Sequence, residues 1–228
     1  NTAIGLLALG AGTTTGNRNV AVGREAMKDA TSATDNTSVG WKSLENITTG
    51  IENVAIGYAT MAQSLDTNGT IAIGRYAMGA GDVANDYQIA IGHNALGELT
   101  SGDANIGIGR SALGVATSAH RNLAIGYQAL DATTSGDDNI ALGHSALGNL
   151  SASGGHKNIA IGNYAGDGMG AVGNPTNNIF IGYDAGGGTW TTAVSNGNIA
   201  IGGYALDGAL NGASYNVAIG EYALTNLT

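Results

Sequence analysis

The sequence predicts an all-β fold, a parallel β-roll or β-solenoid, and two observations carry that prediction. One motif, Asn-Ile-Ala-Ile-Gly-x-x-Ala-Leu, recurs along the whole chain of 228 residues. Its core alternates large and small residues, which is the period of a strand and not of a helix.

The motif glycine falls at Gly5, Gly23, Gly40, Gly57, Gly74, Gly92, Gly109, Gly126, Gly143, Gly162, Gly182, Gly202 and Gly220, 13 copies in all. The spacing is 17 or 18 residues up to Gly143, then 19, 20, 20 and 18. A glycine and β-branched residues in every copy argue against helix. A strand this short needs neighbours, and the repeat is too short for a strand-plus-helix unit. Each repeat therefore reads as one solenoid turn, about 13 turns of 17–20 residues. Turns stacked as parallel strands about 4.8 Å apart make a rod of roughly 60 Å. No linker or change of composition divides the chain, so residues 1–228 read as one domain. It starts inside a motif at Asn1 and reads as a segment of something longer.

Each column of the repeat has an expected task. The aliphatics before the glycine (Ile4, Val22, Ile56, Ile219) and two residues earlier (Val20, Ile71, Ile140, Ile199) are expected to point into the roll. The alanine between them (Ala55, Ala124, Ala200) is expected to form a thin outer face that another surface can approach. The glycine lets the chain leave the strand with a backbone that other residues avoid. Four residues before it stands asparagine in 11 of 13 copies, with Thr70 and Gln88 as exceptions. These asparagines are expected to form a ladder, each amide bonding to the next turn or capping a bend. Three residues after the glycine comes alanine in 11 copies, then Leu or Met except at Gly166 and Gly186.

Composition bounds the function. Charged residues are 11% and hydrophobic ones 43%, which excludes disorder driven by charge. The glycines have no three-residue period, which excludes collagen. There is no cysteine, hence no disulfide and no thiolate metal site. A net charge of −9 offers no basic patch for nucleic acid and disfavours anionic membrane surfaces. No apolar run reaches the length of a membrane helix, so no membrane insertion is expected.

Chemistry is hard to find. His93, His120, His144 and His156 read as surface histidines; His93 and His144 both follow a motif glycine but stand three repeats apart. The turns Ser101-Gly102-Asp103 and Ser135-Gly136-Asp137 lack a full set of calcium ligands and read as polar turns. No nucleophile elbow, phosphate loop or zinc spacing is present. The expectation is a non-catalytic protein with no cofactor and no metal.

The aromatic residues point elsewhere. Tyr58, Tyr127, Tyr183, Tyr76, Tyr164, Tyr204 and Tyr222 sit one or two residues past the motif glycine, and Trp41 joins them. In a solenoid such positions stack in a strip, and aromatic strips hold sugars or protein partners. The bland reading is that they cover the edge of the roll or pack between chains. From Gly162 to Gly202 the turns lengthen, and Trp190 lies in the loop Gly188-Thr-Trp-Thr-Thr192. Trp190 is a candidate contact for a ligand or a neighbouring fibre, or else a residue tucked over a wider groove.

The core Asn-x-Ala-Ile-Gly-x-x-Ala resembles the head repeat of trimeric autotransporter adhesins, the YadA-like head. Copies with longer turns, such as Asn139-Ile-Ala-Leu-Gly-His-Ser-Ala-Leu147, look like repeats of bacteriophage tail fibres. The resemblance implies a left-handed roll, three of which pack around a common axis as a homotrimer. It implies an extracellular fibre, on a virion or a bacterial cell surface, that attaches to a surface glycan or an outer-membrane receptor. Two other readings stand beside it: a purely structural shaft without a ligand, and an ice-binding solenoid. The last needs a flat threonine array, whereas Thr13 to Thr15, Thr48 and Thr133 fall in irregular turns.

Overall fold

A computed structural model describes residues 1–10, 14–79, 86–150, 154–170, 173–190, 193–208 and 212–225. Thr13, Thr191 and Thr192 lie outside the described residues. The chain is all-β. Each motif forms one three-residue strand, from β1 (Thr2–Ile4) through β7 (Ile106–Ile108) to β13 (Val217–Ile219). The thirteen strands make one sheet in sequence order, every neighbouring pair parallel. The register is that of the motif: Ile71 lies beside Ile89, Ala72 beside Ala90, Ile73 beside Ile91. No helix forms among the described residues, so none is long and apolar enough to cross a membrane.

The faces of the sheet are the reverse of the sequence expectation. The middle residue of each strand points inward: Ala21, Ala55, Ala72, Ala90, Ala124 and Ala141 are fully buried. The flanking aliphatics point outward, with Ile56, Ile71, Ile125 and Ile161 each 38 or 39% exposed. The cause is the thinness of the roll. The opposite wall sends in the residue four past the glycine, and Met27, Leu44, Met61, Leu96, Leu113, Leu130 and Leu147 are fully buried there. Little beyond a methyl fits between that wall and the sheet. At Gly107, which replaces the strand alanine in β7, an added Cβ would already lie 3.3 Å from Leu96 Cγ and 3.1 Å from the Ala112 carbonyl oxygen.

The exception supports the rule. Phe180 stands in the alanine column in β11 (Ile179–Ile181) and is fully buried. The two turns facing it carry Gly166 and Gly186 where others carry Leu or Met. A Cβ on Gly166 would lie 2.8 Å from Phe180 Cδ2, and one on Gly186 2.6 Å from Phe180 Cδ1. One large residue entering from the sheet replaces two entering from the opposite wall.

Two hydrogen-bonded ladders of opposite polarity run along the rod, the inner one unbroken from Asn1 to Asn216 and the outer one interrupted at Ile51, whose side chain offers no acceptor. In the inner ladder, Asn122 Oδ1 accepts from the backbone N–H of Asn139 (2.9 Å) and from its Nδ2 (3.1 Å) in the following turn. The same link joins Asn19 to Asn36, Asn36 to Asn53, Asn139 to Asn158, and onward to Asn216. Thr70 and Gln88 continue it: Thr70 Oγ1 accepts from the Gln88 N–H, and Gln88 Oε1 accepts from the Asn105 N–H. This bears out the expected ladder. The amide also caps. Asn122 Nδ2 donates to the Gly136 carbonyl at 2.7 Å, across the roll to the end of its own turn. In the longer repeats the closure persists, from Asn139 to Gly155 O and from Asn158 to Pro175 O.

The outer ladder lies six residues before the glycine. There the side chain of the later turn accepts from the earlier one: Asp137 Oδ1 from the His120 N–H, His120 Nδ1 from the Asp103 N–H, Asp86 Oδ1 from the Asn68 N–H. The Ser-Gly-Asp turns thus use their aspartates on backbone amides. Thr48 and Thr14 likewise donate their hydroxyls to carbonyls of the next turn, Leu65 and Ala30, which ties these threonines into the stack.

Candidate functional site

Two surfaces run along the described rod, one over all thirteen strands and one in two runs between Trp41 and Tyr222. The first is the aliphatic face. It is built from the residues on either side of each strand alanine, because a period of two sends both to the side opposite that alanine. Ile181, Ile201 and Ile125 on one column are 36, 37 and 38% exposed, and Ile71 on the other is 38% exposed. The two columns lie side by side over thirteen strands without a charged residue in either. Single exposed apolar residues are normal on soluble proteins, but a stripe of this length, interrupted only by Thr2 and Thr37 among the strands, is a large apolar surface for a lone chain.

The second surface is the aromatic strip, directly after the motif glycine. Trp41, Tyr58 and Tyr76 form a run in which successive ring centroids are 5.1 and 5.2 Å apart. His93 follows Tyr76 at 6.4 Å. A second run passes through Tyr127, His144, Tyr164, Tyr183, Tyr204 and Tyr222, with centroids 4.8 to 5.9 Å apart. Such spacing follows from the stacking of turns, and tilted or offset rings suit their quadrupoles. Arg24 sits over Trp41, Arg75 over Tyr58 and Tyr76, and Arg110 over Tyr127, at 4.9 to 5.7 Å. The Arg75 guanidinium, bonded to the Tyr76 hydroxyl, holds that phenol below its ordinary range; the Tyr76–Tyr58 hydrogen bond pushes Tyr58 up. Trp41, Tyr127, Tyr183 and Tyr222 are exposed, and Tyr58, Tyr76, Tyr164 and Tyr204 are half-buried.

The structure thus brings eight of the nine aromatic candidates into one strip and sets Trp190 apart. Trp190 is 3% exposed and packs edge-on against Phe180, with centroids 5.7 Å apart. It belongs to this chain's buried cluster, the tucked arrangement that the sequence offered as the alternative to a contact. Sequence reasoning left His93, His144 and the three arginines out of the strip. Their signal was their position, one or two residues past the glycine like the tyrosines.

Among the described residues no group of three or more His, Asp or Glu is placed to hold a metal ion. No Asp or Glu is fully buried among the described residues, and partial burial pushes the half-buried Asp131, Asp167, Asp184 and Asp207 above their ordinary range. Comparison with protein-family models, with curated proteins and with solved structures returns no match for this chain.

Proposed function

We propose that this chain is one strand of a homotrimeric extracellular fibre, on a virion tail or a bacterial cell surface, that attaches to a host or cell surface without catalysis. The observation that supports assembly is the aliphatic face, which a lone rod would leave in water along its whole length. Burying such columns between chains contributes about 25 cal/mol per Å² of apolar area. The number three rests on the likeness of the motif to adhesin heads and tail-fibre repeats. Packing the aliphatic face around an axis leaves the remaining surface to meet a partner. On it the strip from Trp41 to Tyr222 offers rings and guanidinium groups suited to a glycan or an outer-membrane receptor. Three chains repeat every contact, so weak single contacts sum to firm attachment.

A purely structural shaft is the second reading. The uniform spacing from Gly23 to Gly143 favours it, since constant turns offer no singular feature to a receptor. Light scattering tests assembly. The expected mass is three times 22.6 kDa, falling to one chain in Ile125→Asp, which puts a charge into the face. A wild-type monomer would overturn the fibre. Retained cell attachment after Tyr183→Ala with Tyr222→Ala would leave the shaft.

A further inference from the structure

A groove with a mixed polar and apolar lining lies along the segments that follow the motif glycines. Two adjoining hollows of about 320 and 470 Å³ share Ala132, Asn149 and Asp167 in their walls, so they form one trough along the rod. It runs from Val115 to Trp190 across five consecutive turns, a length of roughly 19 Å at the spacing of stacked strands. Its size is that of a small-ligand site.

The lining has a definite chemistry. Carboxylates stand beside carboxamides in adjoining positions: Gln128 Nε2 donates to Asp131 Oδ2 at 3.1 Å, and Asn149 Nδ2 donates to Asp167 Oδ1 at 2.9 Å. Each pair fixes its carboxylate and leaves the amide oxygen as an acceptor; Asp131 also accepts from the Gly114 backbone. Ser145 and Thr189 add hydroxyls. Glycines 148, 168, 170 and 187 expose backbone instead of side chains along the floor. Among the described residues no Lys, Arg or His lines either hollow.

The residue at one end carries an unpaired polar atom. Trp190 closes one end of the trough, and its Nε1–H is buried without an acceptor among the described residues. Buried indole N–H groups ordinarily find one.

We propose that this trough binds a neutral, hydroxyl-rich oligosaccharide, with Gln128, Asp131, Asn149 and Asp167 meeting its hydroxyls and Trp190 bounding one end. Vicinal hydroxyls both donate and accept, which matches paired carboxylates and amides. Two carboxylates in a described lining that holds no Lys or Arg repel sulfated, phosphorylated and sialylated chains, with His144 acting on Asp167 from beside the groove. A glycine floor with few apolar hollows gives peptide side chains little to fill. The carboxyls are held at a cost, since burial disfavours their charge. The inference deepens the attachment reading and rests on it for the biological source of the sugar; the trough itself lies within one chain.

The test is calorimetric titration of the full chain with a neutral glucan trisaccharide, a neutral N-acetylated trisaccharide, a sialylated trisaccharide and a cationic glucosamine trimer. Saturable binding of a neutral probe is expected, about tenfold weaker in Asp167→Asn and in Asp131→Asn, the loss of one hydrogen bond to a charged group. Circular dichroism confirms the fold of each variant, and either variant suffices for the comparison. Binding of no probe, binding confined to the sialylated or the cationic probe, or neutral binding indifferent to both substitutions would overturn the proposal. The mass of the same samples separates it from the fibre: a trimer that binds no sugar loses the trough alone, and a monomer that binds sugar loses the fibre alone.

Discussion

Gly74→Ala is expected to damage the rod more than any loss of a surface contact. Gly74 has φ +133°, a conformation that residues with a Cβ avoid. Holding alanine there costs about 1–3 kcal/mol. The new Cβ would also lie 2.5 Å from the Gly92 carbonyl oxygen and 2.7 Å from its carbon, well inside van der Waals contact. That neighbour is backbone and cannot swing away, because the Gly92 N–H is bonded to the Ile73 carbonyl at 2.8 Å. Overpacking of this kind adds about 1–3 kcal/mol, for a total of about 2–6 kcal/mol. Gly220 supplies the control: its φ is +120°, but nothing lies within 4 Å of an added Cβ. Gly220→Ala should therefore show the backbone cost alone. In a stack of turns a central lesion splits the cooperative unit, so the assay is urea unfolding together with amide hydrogen exchange in β4 (Val54–Ile56) to β6 (Ile89–Ile91). Should the two variants differ by less than about 1 kcal/mol, the close stacking of glycines is not what excludes a side chain.

Three further outcomes are expected. Asn122→Asp keeps the shape but loses the donor to Gly136 O and faces Asn105 Oδ1 with a charge, so it should cost about 3 kcal/mol or more at neutral pH, read by thermal unfolding. Asp167 is raised by burial, with the charge of Asp184 adding and the Asn149 hydrogen bond opposing. A raised carboxyl destabilises the fold once ionised, so Asp167→Asn should stabilise the chain above the folded pKa, and the gain should vanish as pH falls below the unfolded value; a gain that persists in acid would contradict the assignment. Phe180→Ala should cost about 3–5 kcal/mol, and adding Gly166→Leu and Gly186→Leu should recover much of it by restoring the arrangement of other turns, as denaturation midpoints would show.

Much of this architecture was legible in the columns of the sequence. Thirteen glycines at near-constant spacing named the strands, and asparagine four residues earlier named the ladder, down to its double role in linking and capping. The direction of the strand faces was not legible. Alternation of Ile and Ala says that the two face opposite ways, but not which way is inward, and the usual rule that larger apolar residues are buried pointed wrongly. What decides is the width of the roll, set by Leu96 and its equivalents reaching across from a segment that reads as a turn. Those residues take left-handed backbone conformations, φ 50° at Leu44 and Leu96 and 51° at Leu147, which nothing in a leucine announces. For Trp190 the choice between a contact and a tucked residue stayed open for a related reason. Its partner Phe180 and the two glycines that make room for them lie 4 to 24 residues away in sequence, and only the stack brings them together.

The closure of each turn by its own asparagine separates two problems that most folds must solve together. The amide pins one fixed carbonyl, at Gly136, Gly155 or Pro175, whatever number of residues intervenes. Insertions can thus arrive one turn at a time without shifting the register of the strands above and below. Mutation can then rewrite the displayed loops while the rod stays the same, and a foreign peptide spliced between the buried leucine and that carbonyl would be carried outward at a chosen height along the shaft.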